Sequence, residues 1–302
     1  MIGEEYRAEI EKPARKKGVA PTQQVIGLLV SLVLIWLVFH PGDGEKAPTD
    51  GAPSPRVAST SPAITDSLVE LGLTAHIVGR SGYCTGVPKT VPVVGDLRDF
   101  DAERLALVRP EVLFVQPPIA GVAPELREFC TSKSIRLVER RIDTLADIAA
   151  LADDIESVFG AAIAPRLAEA RGFLGEKPAI AGDAPRVLVV VSADPFLAVG
   201  RGNYLDELIA HAGWRNAVDG DGWIELSVES ILALKPDRIV GIAGHEAGAH
   251  EIESLLAILP WQGAQPATRA AAAPELLSPS LAAIARRDVL ARLLGGAAGD
   301  TR

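Results

Sequence analysis

The sequence lacks the short motifs that mark several large enzyme classes. It contains no Gly-x-Ser-x-Gly nucleophile elbow and no Gly-x-x-x-x-Gly-Lys-Ser/Thr phosphate loop. The segment Gly200-Arg-Gly202-Asn resembles the start of a dinucleotide-binding loop but has no third glycine. An enzymatic activity would need a site without a recognisable motif, and we do not expect the chain to be an enzyme.

Basic residues are also too few and too scattered for a nucleic-acid-binding protein. The 30 Lys and Arg residues are outnumbered by 39 Asp and Glu residues, which gives a formal net charge of −9. Binding to nucleic acids or to anionic lipid requires clustered Lys and Arg that displace counterions. The composition therefore argues against such partners for the folded part of the chain.

A long hydrophobic run occurs near the N-terminus. Four basic residues between positions 12 and 17 precede an uncharged apolar run over residues 25–39. Basic residues on the leading side retain a tail in the cytoplasm, and residues 23–40 would extend about 27 Å as a helix, just enough to cross a bilayer. We therefore predict a cytoplasmic tail over 1–22, a transmembrane anchor over 23–40 and a disordered linker over 41–55. The folded part then lies outside the cell membrane, on the periplasmic side.

A cleaved signal peptide is the alternative for this segment, because a short apolar core after basic residues is its hallmark. No small-x-small cleavage site directly follows Phe39, and no cysteine is available there for a lipid anchor. Only two cysteines exist, Cys84 and Cys130. An even pair in an exported domain favours one disulfide, and two free buried thiols are the alternative.

Beyond residue 56, short apolar runs alternate with amphipathic stretches, a pattern typical of an α/β fold with a parallel sheet. The 28 glycines and 22 prolines fit many short connections. Over residues 144–174 the apolar positions instead recur every three or four residues, which predicts one long helix bent at Pro165. We therefore predict two Rossmann-like lobes, over 56–143 and 175–302, joined by an inter-lobe helix over 144–174.

An internal repeat supports two similar lobes. The segment Glu103-Arg-Leu-Ala-Leu-Val-Arg-Pro-Glu-Val-Leu-Phe-Val matches Glu229-Ser-Ile-Leu-Ala-Leu-Lys-Pro-Asp-Arg-Ile-Val-Gly. Each reads as a Glu-led helix, a basic-Pro-acidic turn and a strand. Any helix-turn-strand unit looks similar to another, but here the acidic, apolar, basic and proline positions agree in register.

Further segments complete the pattern. They are Arg56-Val-Ala-Ser-Thr-Ser-Pro-Ala-Ile-Thr-Asp-Ser-Leu-Val-Glu-Leu-Gly, Ile77-Val-Gly-Arg-Ser-Gly-Tyr-Cys, Val94-Gly-Asp, and Tyr204-Leu-Asp-Glu-Leu-Ile followed by Ala212-Gly. With the two repeats, their order and spacing resemble the helical-backbone solute-binding proteins of ABC importers, the group that carries cobalamin, ferric siderophores and haem. The resemblance implies a receptor that captures such a ligand between two lobes and delivers it to importer permease subunits.

The resemblance also implies site residues. In the vitamin B12-binding member, a Tyr after the second strand and a Trp before the second Glu-led helix line the cleft, and Tyr83 and Trp223 occupy the matching positions. Either could instead be a core or rim aromatic. Other cleft aromatics are replaced here by Leu97 and Gln116, which leaves the ligand open. The candidate ligand-binding residues are Tyr83, Trp223, Ser61, Ser81, Gln116, Phe196 and His245.

In the same family, the Glu that opens each repeated helix docks on basic residues of the importer, which here implies Glu103 and Glu229. A plain helix-start carboxylate is the alternative for both. His245 and His250, in a loop after a predicted strand, allow a second hypothesis, a receptor for metal ions, although a solvated polar loop is the favoured explanation for them. A scaffold without a ligand is a third. We expect no resident cofactor, although a ligand of the implied classes carries cobalt or iron.

Overall fold

Two β-sheets organise the chain. The computed structural model describes residues 53–96 and 98–295, so the predicted tail, the predicted anchor and most of the linker lie outside the described residues. The N-terminal lobe has four parallel strands in the order β2-β1-β3-β4. These are β1 (Val57–Ser59), β2 (Ile77–Gly79), β3 (Val112–Val115) and β4 (Arg136–Glu139), with helices α1 (Pro62–Glu70), α2 (Ala102–Val108) and α3 (Pro124–Ser132).

The C-terminal lobe has a mixed sheet rather than the expected parallel one. Its order is β10-β9-β5-β6-β8, with β7 beside β5, and β6 runs antiparallel to both of its neighbours. The strands are β5 (Arg186–Ala193), β6 (Phe196–Val199), β7 (Arg215–Asn216), β8 (Trp223–Glu225), β9 (Arg238–Ala243) and β10 (Ala267–Ala272). The helices, numbered after the two connecting helices described next, are α6 (Tyr204–His211), α7 (Val228–Leu234), α8 (Glu246–Ala257), α9 (Leu281–Ala285) and α10 (Arg287–Leu293).

The connection between the lobes is two helices, α4 (Leu145–Phe159) and α5 (Ala164–Leu174), not one. Helix α4 begins with a capping box between Thr144 and Asp147. It ends at Gly160, whose φ of +76° is open to glycine but strained for other residues. The single helix bent at Pro165 was therefore a wrong prediction, because Gly160 interrupts the chain earlier and Pro165 lies harmlessly in the first turn of α5.

The repeat predicted from sequence is present in the structure, including the residues that cap each of its two helices. In α2 the side chain of Asp101 accepts a hydrogen bond from the N–H of Arg104, and in α7 Ser227 does the same for Ser230. Both helices have seven residues and end at a left-handed residue, Arg109 with φ 45° and Lys235 with φ 47°. The proline that follows each of these residues cannot continue a helix, so both chains turn into a strand.

One apolar core is common to both lobes. It includes side chains from α1, α4, α5, α6, α9 and α10 together with one face of each sheet, for example Val57 of β1 and Val187 of β5. The opposite face of the N-terminal sheet packs on α2 and α3, and that of the C-terminal sheet packs on α7 and α8. The helices of the common core therefore form a layer between the two sheets.

Directional hydrogen bonds fix how the lobes meet on this core. The hydroxyl of Ser67 on α1 accepts from the N–H of Leu281 on α9 at 3.0 Å while donating to the carbonyl of Ala63 at 2.8 Å. On the other side of the core, the N–H of Tyr204 donates to the carbonyl of Asp143 at 2.8 Å. Ser67, Ala63, Leu281 and Tyr204 are buried, so a shift of one lobe would leave buried polar groups unpaired.

The predicted disulfide is wrong. Cys84 and Cys130 are both free and buried. Cys84 belongs to the common core, where its sulfur lies 3.1 Å from the hydroxyl of Thr65, whereas Cys130 packs under α3 on the opposite face of the N-terminal sheet. Burial raises the pKa of the Cys130 thiol, and the nearby Glu139 carboxylate raises it further. The sheet therefore separates two structural thiols.

No helix within the described residues is long and apolar enough to span a membrane.

A thiol count tests this part of the structure. We expect two titratable thiols per chain when the unreduced protein is denatured, and almost none before denaturation, because both sulfurs are buried. Ellman's reagent with and without denaturant measures both values. A count of zero thiols in denaturant would show that Cys84 and Cys130 form a disulfide after all.

Candidate functional site

Three neighbouring strands of the N-terminal sheet deliver the candidate polar residues to one edge. Ser61 follows β1, Ser81 and Tyr83 follow β2, and Gln116 follows β3. Since β2, β1 and β3 are adjacent and parallel, these residues lie side by side where the strands end. The carboxyl edge of a parallel sheet is where α/β proteins usually bind ligands.

Ser61 and Gln116 are joined directly. The buried Ser61 hydroxyl donates to Gln116 Oε1 at 2.7 Å and also caps helix α1. Because Oε1 is occupied, the amide is oriented with its N–H donors free for another acceptor. Ile119, three residues further along, is 88% exposed, so this edge combines an amide donor with an exposed apolar side chain.

The loop that carries Tyr83 is held in position by hydrogen bonds. The buried Ser81 hydroxyl accepts from the N–H of Tyr83 at 3.1 Å. The guanidinium of Arg80 donates to the carbonyls of Val91 at 3.0 Å and Ser81 at 2.9 Å. The ring of Tyr83 is nevertheless 71% exposed. A fixed backbone thus presents an accessible aromatic ring. Arg80 holds this loop in position. The sequence patterns did not identify it, although it lies within a segment that carries the family resemblance.

An acidic hollow adjoins Tyr83. It has a volume of about 690 Å³, and its lining includes Tyr83, Phe100, Asp96, Asp99, Asp101 and Arg104. The N–H groups of Arg98 and Asp99 hold the pKa of Asp96 below its usual value, so this carboxylate is ionised at neutral pH. Arg104 forms an ion pair with Asp101 at 3.2 Å. The hollow is therefore lined by aromatic side chains and by more acidic than basic groups.

The C-terminal lobe contributes residues from its own carboxyl edge. Phe196 opens β6, and because β6 runs antiparallel to β5, it lies next to the end of β5. Its half-buried ring packs against the outer core of that lobe. His245 lies two residues after the end of β9 and is exposed. Phe196 and His245 thus lie at one edge of the sheet.

Trp223 lies elsewhere than expected. It opens strand β8 and pairs with Val199, three residues beyond Phe196, instead of sitting in a free loop. Three strand residues correspond to about 10 Å, so Trp223 is displaced from the edge by that distance along the sheet. Its side chain is 45% exposed. The next residue, Ile224, packs on the outer core of the lobe, so the side chain of Trp223 projects from the opposite face of the sheet, the same face as Val199.

Two asparagines hold the segment that leads to Trp223. The buried Asn203 donates to the carbonyls of Gly200 and Gly222 at 3.2 and 3.3 Å, and Asn216 donates to the carbonyl of Val199 at 3.0 Å. At Gly200 an added Cβ would lie 2.3 Å from the carbonyl oxygen of Gly220, so only glycine fits. The sequence analysis missed both asparagines, although the cluster of glycines was a usable signal of close backbone contact.

His245 acts as a helix cap. Its Nδ1 accepts from the N–H of Gly248 at 3.0 Å at the start of α8. A neutral ring that accepts at Nδ1 carries its proton on Nε2, so neither nitrogen has a lone pair free for a metal in this conformation. His250 is five residues further on, about 140° around the helix axis. Among the described residues, no group of three His, Cys, Asp or Glu side chains is arranged to hold a metal ion.

Glu103 and Glu229 occupy equivalent exposed positions in the first turns of α2 and α7. Both helices start at the carboxyl edge of their sheet. The backbone N–H of Glu229 and the hydroxyl of Ser227 hold the pKa of Glu229 below its usual value. One turn further, Leu107 is 56% exposed on α2, whereas the equivalent position on α7 is Ala233. Each lobe thus presents one carboxylate beside a small apolar surface.

The structure therefore groups some candidates and separates others. Ser61 contacts Gln116, and Ser81 contacts Tyr83. Tyr83, Phe196 and Trp223 make no ring contact with an aromatic side chain anywhere in the described part of the chain. Aromatic rings that are not packed on other rings suit a flat apolar surface better than a small ion.

Comparison with known proteins agrees with the fold. A family model described as periplasmic binding protein matches residues 57–252, more than half of the chain. No curated protein matches the sequence.

Solved structures resemble this fold at low sequence identity. A periplasmic haem-binding protein from Pseudomonas aeruginosa is 21% identical, with a TM-score of 0.60 over 80% of this chain and 94% of its own. The periplasmic haem-binding protein BhuT, solved with two haems, is 23% identical, with a TM-score of 0.57 over 79% and 97%. The vitamin B12-binding protein BtuF of Vibrio cholerae is 17% identical, with a TM-score of 0.57 over 80% and 97%. Identities this low establish a shared fold and leave the ligand open.

Proposed function

This chain belongs to the periplasmic binding protein family, and on that premise we propose that it captures a cobalamin, ferric siderophore or haem type ligand for an ABC importer. The family is one of solute-binding proteins, so the chain is not an enzyme. The family resemblance found in the sequence is thereby confirmed. The ligand, the residues that bind it and the mode of attachment to the membrane are the proposed part.

The observation that supports the ligand proposal is that each lobe presents candidate residues at the carboxyl edge of its sheet. The N-terminal edge supplies Tyr83 and the Ser61–Gln116 pair, and the C-terminal edge supplies Phe196. An exposed ring and a fixed amide donor can hold a flat macrocycle and hydrogen-bond its rim. Trp223 would contact the ligand from the side, and Ser81 would act by fixing the Tyr83 loop.

The charges of these edges favour some ligands over others. Arg140 and Arg141, which follow β4 at the carboxyl edge of the N-terminal sheet, are each paired with an aspartate. Arg80 is committed to backbone carbonyls. Highly anionic catecholate siderophores need several free cations. The structure therefore supports a macrocycle such as haem or cobalamin more than a catecholate complex.

The metal-receptor hypothesis has less support. His245 is engaged as a cap, and His250 lies on a different side of α8. The scaffold hypothesis is distinguished by experiment, because a scaffold shows no stabilisation by any of the candidate ligands.

The first prediction concerns ligand contact. Purified protein should be stabilised against heat by haemin or cyanocobalamin, and Trp223→Ala should weaken that binding by about 1 to 3 kcal/mol, the usual loss for a buried aromatic contact. Absorbance titration measures the affinity. Ile258→Ala, which truncates an exposed apolar side chain at the C-terminal end of α8, is the control. If no candidate ligand stabilises the wild type, the ligand proposal is wrong.

The second prediction concerns docking. We propose that Glu103 and Glu229 contact basic residues on the importer, one per lobe, through charge-assisted hydrogen bonds. The double variant Glu103→Ala, Glu229→Ala should then bind ligand with nearly wild-type affinity but abolish uptake by cells. Glu128→Ala, an exposed acid on α3, should leave both unchanged. Normal uptake by the double variant would show that Glu103 and Glu229 have no docking role.

The third prediction concerns attachment. We propose that residues 23–40 anchor the chain with residues 1–22 in the cytoplasm, on the evidence of the basic flank and the apolar run. Protease added to spheroplasts should digest the folded part and spare a tag at the N-terminus. Recovery of a mature protein that has lost the tag in untreated cells would instead show a cleaved signal peptide.

A further inference from the structure

Helix α6 carries two adjacent carboxylates in its first turn that accept hydrogen bonds from different parts of the chain. Asp206 accepts from the N–H of Gly202 and from Asn216 Nδ2, both at 3.1 Å and both within the C-terminal lobe. Glu207 instead accepts at 2.6 Å from the N–H of Leu145, the first residue of α4. The two acids therefore tie the start of α6 to its own lobe and to the helix by which the chain leaves the N-terminal lobe.

A second hydrogen bond joins α6 to the same place. The N–H of Tyr204, the first residue of α6, donates to the carbonyl of Asp143 at 2.8 Å. Asp143 and Leu145 flank Thr144, the residue that caps α4. Tyr204 and Leu145 are buried and Glu207 is half-buried. Loss of the Glu207 carboxylate would leave the N–H of a buried residue at a helix N-terminus without its acceptor, which is costly for a charge-assisted hydrogen bond.

The residue that caps α6 connects the helix to the strand of Trp223. Asn203 accepts from two N–H groups in the first turn of α6, and its Nδ2 donates to the carbonyls of Gly200 and Gly222. Backbone hydrogen bonds run alongside, from the N–H of Gly200 to the carbonyl of Gly222 at 2.7 Å and from the N–H of Gly222 to the carbonyl of Arg201 at 2.8 Å. Gly222 directly precedes Trp223, the first residue of β8. The cap of α6 therefore holds the segment from which this strand starts.

These contacts form a continuous chain from the start of α4 to the Trp223 strand. Each step is either a hydrogen bond of 2.6 to 3.3 Å or a covalent bond within α6 and its cap. Contiguous hydrogen-bond networks on rigid elements are able to carry energetic coupling between separate sites. A displacement at Leu145 is therefore transmitted to Trp223 through the first turn of α6.

We propose that Glu207 is a positioning residue for the ligand site. By accepting from the N–H of Leu145 it fixes α6 at the start of α4, and through Asn203 the fixed helix holds the strand that carries Trp223. Glu207 acts in this way without touching the ligand. The consequence for ligand affinity rests on the proposed function, whereas the consequence for the strand does not.

Hydrogen exchange of the full-length chain in detergent tests the proposal without any ligand. In Glu207→Ala, a peptide over residues 143–149 should exchange at least about tenfold faster than in the wild type, because the lost acceptor is charged. A peptide over residues 219–226 should also exchange several-fold faster, although the substitution removes no hydrogen bond from that segment itself. Faster exchange confined to residues 143–149 would overturn the proposal.

Three further variants separate positioning from a general loss of stability. Glu207→Gln keeps a side-chain oxygen that accepts from Leu145, so both peptides should return to within about twofold of the wild type. Leu113→Ala, which destabilises the outer core of the N-terminal lobe, and Glu251→Ala, which removes an exposed acid on α8, should leave residues 219–226 unchanged. A Gln variant that behaves like the Ala variant, or equal acceleration of residues 219–226 in Leu113→Ala, would contradict the positioning role.

Ligand affinity gives the second readout, with haemin and cyanocobalamin as probes. Glu207→Ala should weaken binding several-fold and Glu207→Gln should retain it. In a Trp223→Ala background, Glu207→Ala should cause little further loss, because both substitutions act on the contact made by the same ring. Additive losses would overturn the proposal. If neither probe binds the wild type but the exchange differences are found, the proposed function alone fails; if a probe binds and the exchange of residues 219–226 is unaffected, this inference alone fails.

Discussion

The apolar core shared by the two lobes is the constraint on which the rest of the structure depends. A lobe with its own closed core could rotate on a flexible connection, but here α1, α4, α5, α6, α9 and α10 bury their apolar faces in one cluster between the sheets. Separating the lobes would expose that cluster to water, at a cost of about 25 cal/mol for each Å² of apolar surface. The relative position of the sheet edges is therefore set by packing.

The fixed relative position of the two lobes limits how a ligand can be bound. Because the edges hardly move, affinity has to come from side chains that are already in place, which fits the braced Tyr83 loop and the Ser61–Gln116 hydrogen bond. Any mobility that release requires must then be local.

Local patterns in the sequence predicted the elements well, and long-range details poorly. The two lobes and the repeat of α2 in α7 followed from apolar spacing and from the Pro that ends each helix, since both are local signals. The break at Gly160 was missed because apolar spacing continues across it, and glycine alone does not reveal its φ. The disulfide prediction failed because pairing depends on which face of the sheet each cysteine occupies.

A crystal structure of the protein with the macrocycle that most raises its melting temperature tests the central claim most directly. The account predicts the macrocycle between the two carboxyl edges, in contact with Tyr83 and Phe196, with the lobes in the same relative position as without it. A ligand bound in the groove beside Trp261 and Leu232 instead, or a large rotation of one lobe about the helices α4 and α5, would contradict it.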